Sequence, residues 1–229
     1  MKTHLGFQRL LRRGFTLVEL LVVIAIMAIL AALITSLAGT VARKKTIARA
    51  QAEMGKLETT IEAYKAKMGF YPPGNGQTAL EGPQRPSAAV NQLFYELTGT
   101  VFNGSTRFTN VLGEAISTNS MGSFFGVTGF VNSSTDPREV VNFYRSLKSD
   151  ELGNRNTVNA PVRIFVLPVE GPRGVYFQDA DGHWVTPWFY DASSANRFNA
   201  DSYDLWIDII LGGKTNRICN WSDQPLIVN

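Results

Sequence analysis

From Phe15 to Ala42 the chain runs for 28 residues with a single charge, Glu19, set almost at the start. A helix of that length rises about 42 Å, more than the roughly 30 Å hydrocarbon core of a bilayer. The run therefore predicts a transmembrane helix over 15–42, or a helix buried among other greasy helices. A carboxylate inside such a segment is costly unless something pairs with it. Ahead of the run stand Lys2, Arg9, Arg12 and Arg13, with no acid among them.

Those four cations explain the basicity of the chain. The formal net charge is +3, so removing a +4 leader leaves −1 for residues 15–229. Nucleic acid loses its main electrostatic attraction, and no nucleic-acid partner is predicted. The basic leader suits retention on the cytoplasmic side, although Arg43-Lys44-Lys45 beyond the run pulls the other way. Cys219 is the only cysteine, which forbids an intramolecular disulfide and reads as a small buried hydrophobe. With His4 in the leader and His183 far from it, no zinc site is predicted. No nucleophile elbow, P-loop or dinucleotide fingerprint occurs, so no catalytic residue and no enzyme activity are predicted.

The hexapeptide Gly14-Phe15-Thr16-Leu17-Val18-Glu19 resembles the processing motif of type IV pilins and of the pseudopilins of type II secretion systems. The resemblance implies that a prepilin peptidase cuts after Gly14 and methylates the new N-terminus at Phe15. It also implies that Glu19 guides assembly, by pairing with the Phe15 amine of an adjacent subunit once both are buried. Local alternatives stand beside these roles. Thr16 and Glu19 have the spacing of a capping box, an acid in the first turn suits the helix dipole, and Gly14 can be a flexible residue. An ordinary signal peptide would use small residues such as Ala38-Gly39-Thr40-Val41-Ala42 as its cleavage site. The apolar run is long for that, and the Gly14–Phe15 site lies before it.

Beyond the run, Ile47, Met54, Leu57, Ile61, Tyr64 and Met68 recur at spacings of seven, three, four, three and four, one face of an amphipathic helix. Nothing from Phe15 to Met68 demands a break; Gly69 suits a left-handed cap and Pro72-Pro73 stop the helix. Ser87 caps a predicted helix over 88–97, and Asp136-Pro137 opens another to Leu147. Residues 98–135 carry scattered Gly, Asn, Ser and Thr and receive no assignment. The C-terminal third reads as strands: 162–169, then 174–177, the turn Asp179-Ala180-Asp181-Gly182, 183–185, 188–190, and above all Tyr203 to Leu211. The elements Gly69-Phe70-Tyr71-Pro72, Trp188-Phe189-Tyr190, Tyr203-Asp204-Leu205 and Gly212-Gly213-Lys214 are similar to the helix end and last strands of the major pseudopilin. That family's calcium loop would fall on Leu211–Arg217, which has two cations and no carboxylate. Asp201, Asp204, Asp208 or Asp223 would have to supply oxygens, so no metal and no cofactor are predicted.

The predicted class is α+β: a long N-terminal helix, membrane-spanning in its first half, whose second half packs on an antiparallel β-sheet head. The predicted division is leader 1–14, transmembrane or filament-core helix 15–42, amphipathic half and turn 43–72, and head 73–229. The resemblance implies a pseudopilus subunit with its head in the periplasm, anchored once in the bacterial inner membrane. Its implied partners are the prepilin peptidase, copies of itself, minor pseudopilins, an inner-membrane platform and an ATPase. A type IV pilin for adhesion or motility is the alternative within the family. A membrane-anchored carbohydrate-binding module using Trp184, Trp188, Trp206 and Trp221 is the alternative outside it.

Overall fold

The computed structural model describes residues 15–75, 89–155 and 161–228, and the side chains of 33–38 lie outside that description. The first helix, α1, spans Leu17–Met68. A boundary between two compact units falls inside it, between Lys44 and Lys45.

In the first unit every side chain described from Phe15 to Ala32 is exposed, including Leu17 at 78 % and Val18 at 69 %. Among the described residues no helix is long and apolar enough to cross a membrane. Residues 33–38, whose side chains lie outside the description, fall inside the expected span of 15–42.

The second unit behaves as its spacing predicts. Ala50, Leu57, Ile61 and Tyr64 are buried, with Ile47, Met54 and Met68 packed against the same core. The helix stops at Gly69, whose φ of 87° lies in the left-handed region and whose N–H donates to Lys65 O at 2.8 Å. The second helix, α2, is Leu93–Thr98, and all six of its residues are buried. Its predicted cap, Ser87, lies outside the described residues.

The described residues of the head hold three four-stranded sheets rather than the single sheet predicted. The first comprises β1 (Thr100–Phe102), β2 (Arg107–Asn110), β3 (Ala115–Ser117) and β4 (Ser133–Ser134) in the order β3-β2-β1-β4. Only β1–β4 is parallel. Helix α3 (Thr118–Phe125) follows β3, capped by the Ser117 side chain, which accepts from Ser120 N at 3.1 Å. All of this falls in the stretch the sequence leaves unassigned.

The second sheet comprises β5 (Leu152–Asn154), β6 (Arg163–Leu167), β7 (Phe177–Gln178) and β8 (Trp184–Pro187), ordered β5-β6-β8-β7. The third comprises β9 (Phe189–Asp191), β10 (Asp204–Leu211), β11 (Lys214–Cys219) and β12 (Ser222–Val228), ordered β12-β11-β10-β9 and antiparallel throughout. The chain changes sheet at Trp188. Pro187 has no N–H to extend a ladder, and Trp188, 1 % exposed, donates its N–H to Phe165 O at 3.0 Å. Residues 184–191 therefore read as one run in the sequence but serve two sheets. In β10 Leu205, Ile207 and Ile209 are fully buried on one face, while the other carries the buried Asp204 and Asp208 and the partly buried Trp206 and Ile210. Strand β12, unpredicted, is an edge in which Pro225 falls where the register with β11 slips between Arg217 and Cys219.

The helix predicted from Asp136 to Leu147 does not form. Asp136 caps only a turn, with Glu139 N donating to Asp136 O at 3.1 Å. The following amides bond elsewhere: Val141 N to Asn132 Oδ1 at 3.2 Å, and Phe143 N and Tyr144 N to Leu97 O at 2.9 and 3.2 Å. Tertiary partners have replaced the i−4 carbonyls a helix would need.

Candidate functional site

At the start of α1 the backbone leaves its first amides without intrahelical partners. Thr16 and Glu19 answer this reciprocally. Thr16 N and Thr16 Oγ1 donate to Glu19 Oε2 at 2.9 and 2.8 Å, and Glu19 N donates to Thr16 Oγ1 at 3.2 Å. This is the capping box that the spacing predicts. One turn thus carries Phe15, 75 % exposed, a carboxylate held by its neighbour, and a continuous apolar surface beyond. Chemically, such a turn offers an anion on a greasy rod, next to the residue whose amine cleavage would release. Gly14 and the rest of residues 1–14 lie outside the described residues.

Residues 9–35 match the family described as the prokaryotic N-terminal methylation motif. The match supports a pilin-like or pseudopilin role in general. With it come processing by a prepilin peptidase, pilus-type assembly, and a membrane-anchored or envelope-associated place. It covers the end of the leader and the first part of the apolar run, and none of the head. Comparison with curated proteins and with solved structures finds no match to the chain.

Two buried acids hold the amphipathic half of α1 to the head, and neither stands out in the sequence. Glu96, fully buried, accepts from Val131 N at 2.9 Å, Asn132 N at 3.0 Å and Tyr64 Oη at 3.0 Å. Burial pushes its carboxyl above the ordinary range, against the pull of those three donors. Glu151, 4 % exposed, accepts from Lys56 Nζ at 2.9 Å on both oxygens, from Tyr144 Oη at 3.1 Å and from Lys148 N at 3.0 Å. Glu96 stands alone between Tyr95 and Leu97 and Glu151 follows Asp150 in a polar stretch, so neither gives a periodic signal.

Of the acids weighed for calcium, Asp179, Asp204 and Asp208 are otherwise engaged. Asp179 Oδ1 accepts from Asp181 N at 3.1 Å and His183 N at 2.8 Å, closing the predicted turn. Asp208 pairs with Arg217 at 2.7 and 2.8 Å, and Asp204 accepts from Phe198 N at 2.7 Å and Asn199 N at 2.9 Å. Leu211–Arg217, expected as the counterpart of the calcium loop, is a β10–β11 hairpin turning at Gly212-Gly213. Among the described residues no group of three or more His, Cys, Asp or Glu could hold a metal ion. The four tryptophans also separate. Trp188 is in the core, while Trp206 stacks on Phe189 at 4.9 Å and Trp221 on Phe198 at 4.4 Å. Trp184, at 53 %, is left open to solvent.

Proposed function

We propose that this chain is a structural, non-enzymatic subunit of a type II secretion pseudopilus. The observation that carries the reading is Gly14-Phe15 ahead of Glu19 at the head of an apolar, uncovered helix. Residues 15–42 anchor the precursor once in the bacterial inner membrane, with the head in the periplasm. Prepilin peptidase removes residues 1–14 and methylates Phe15. The freed amine then meets Glu19 of an adjacent copy, so that each charge enters the filament centre neutralised by the other. Contact with that amine draws the carboxylate from its Thr16 partner. Minor pseudopilins, an inner-membrane platform and an ATPase complete the machine, which needs no cofactor or metal in this subunit. The lone Cys219 favours a pseudopilin, because many type IV pilins close a C-terminal loop with a disulfide that one cysteine cannot make.

A second reading, a minor type IV pilin, is favoured by the long middle region with its own sheet β1–β4 and helix α3. Mass spectrometry of the native N-terminus tests both, with methyl-phenylalanine at Phe15 expected. A native chain still starting at Met1, or starting beyond Ala42, would sink both readings. Deleting the gene separates them: loss of export of folded proteins marks the pseudopilus, and loss of surface motility marks the pilus.

A further inference from the structure

Trp184 departs from the pattern set by the other three tryptophans, none of which is exposed. It begins β8 next to the Asp179–Gly182 turn, and its ring leans on Tyr176 with centroids 5.0 Å apart and planes 32° apart. That contact holds the indole in place yet leaves 53 % of the residue in water. Beside it opens a cleft of about 520 Å³, walled by Leu152, Pro168 and Val185 and edged by Ser149, Asp150 and His183. A second cleft of about 360 Å³ shares Ser149, Leu152 and His183 with the first and extends it toward Lys148 and Asp181. Both volumes fall in the range of about 300–1,000 Å³ typical of small-molecule sites.

The chemistry of the rim narrows the ligand. The Arg163 guanidinium bordering the second cleft is taken up by Glu114 at 2.6 Å and Asp181 at 3.1 Å. Asp150 gives Oδ2 to Arg49 at 2.8 Å, while its Oδ1 accepts from none of the described residues. Lys148 also lines the second cleft, so Arg49, Lys148 and Arg163 stand against Glu114, Asp150 and Asp181, three charges of each sign, and the site has no cationic excess for a phosphate or a nucleic acid to exploit. What remains is an exposed aromatic face flanked by a hydroxyl, an imidazole and a carboxylate oxygen. A pyranose matches both features: its axial C–H groups lie flat on the negative face of an indole, and its equatorial hydroxyls donate and accept at the edge.

We propose that the cleft beside Trp184 binds a neutral sugar, with the indole as its stacking platform and Ser149, Asp150 and His183 as its hydrogen-bonding rim. The site lies on the head and is independent of the N-terminal machinery.

The full chain is held in dodecylphosphocholine micelles, a detergent without a sugar headgroup, and titrated by isothermal calorimetry with glucose, galactose, N-acetylglucosamine, cellobiose, lactose and chitobiose to tens of millimolar. Saturable binding of at least one sugar is expected. It should weaken by about tenfold or more in Trp184→Ala and be largely retained in Trp184→Phe. Because Trp184 is half exposed, the alanine variant should melt with the parent. Three results would overturn the proposal: no response to any of the six sugars, an undiminished response in Trp184→Ala, or an equal response to the dipeptide Phe-Phe, which would mark a general apolar cleft. Leader removal should be untouched in Trp184→Ala.

Discussion

The two halves of α1 share a helix and little else. In the half after Lys45, apolar residues recur along one stripe, and Leu57, Ile61 and Tyr64 bury against the chain's own head. In the half before Lys44, apolar residues lie all round, and all those described, from Leu17 to Leu30, face solvent. A stripe needs only one neighbour, but a surface greasy on every side needs a surrounding medium, either lipid or other copies of the same rod. The second half is thus built for folding and the first for assembly.

The sharpest way to break this contrast is Gly14→Arg. A bulky cation at the cleavage site should leave the precursor whole, read as an intact mass still containing residues 1–14. Unchanged processing would detach the first half from the role assigned to it. Next in size is Glu19→Ala. Filaments pelleted from cells should fall below detection while the head melts at the parental temperature. A lowered melting temperature would mean that the acid serves folding after all. For the second half the expectation reverses. Ile61→Ala, at a fully buried position, should cost the head about 2–5 kcal/mol in denaturant unfolding, with leader removal normal. Gly99→Ala should cost about 1–3 kcal/mol, because its φ is 76° and the added methyl would run into Val140.

The smallest effect concerns pH. Glu96 has its carboxyl raised by burial, so the folded head holds that proton more tightly than the unfolded chain. Its contribution to stability is therefore greatest below about pH 4, falls as pH rises through the folded-state value, and is flat beyond. Unfolding midpoints measured across that window should show the decline. Glu96→Gln should flatten it and lower stability throughout, since an amide NH₂ would face the donor Asn132 N.

What could be read in the sequence follows from where the signal is local. The α1 stripe, its stop at Gly69 and the strand at Tyr203–Leu211 rest on periodicity and turn residues, and the structure agrees. The capping box of Thr16 and Glu19 was equally visible, because both partners sit within one turn. The helix expected at 136–147 does not form because a cap, a proline and an apolar run describe only what the segment can do alone. Asn132 and Leu97 claimed its amides from a distance. The sheet of β1–β4 hid in strands of two to four residues, too short to establish an alternation. Strand β12 leaves no clear signal because Pro225 argues against a strand, except at the edge where it lies.

That edge proline bears on how the subunits stay apart before they are needed. Strand β12 shows Leu226 and Ile227 to solvent at 39 % and 63 %, which would ordinarily invite a neighbouring head to zip on sideways. A missing donor and a kinked register spoil the template for such a zipper. In the proposed filament, heads that do not pair at this edge would leave recognition between copies to the hydrophobic rods.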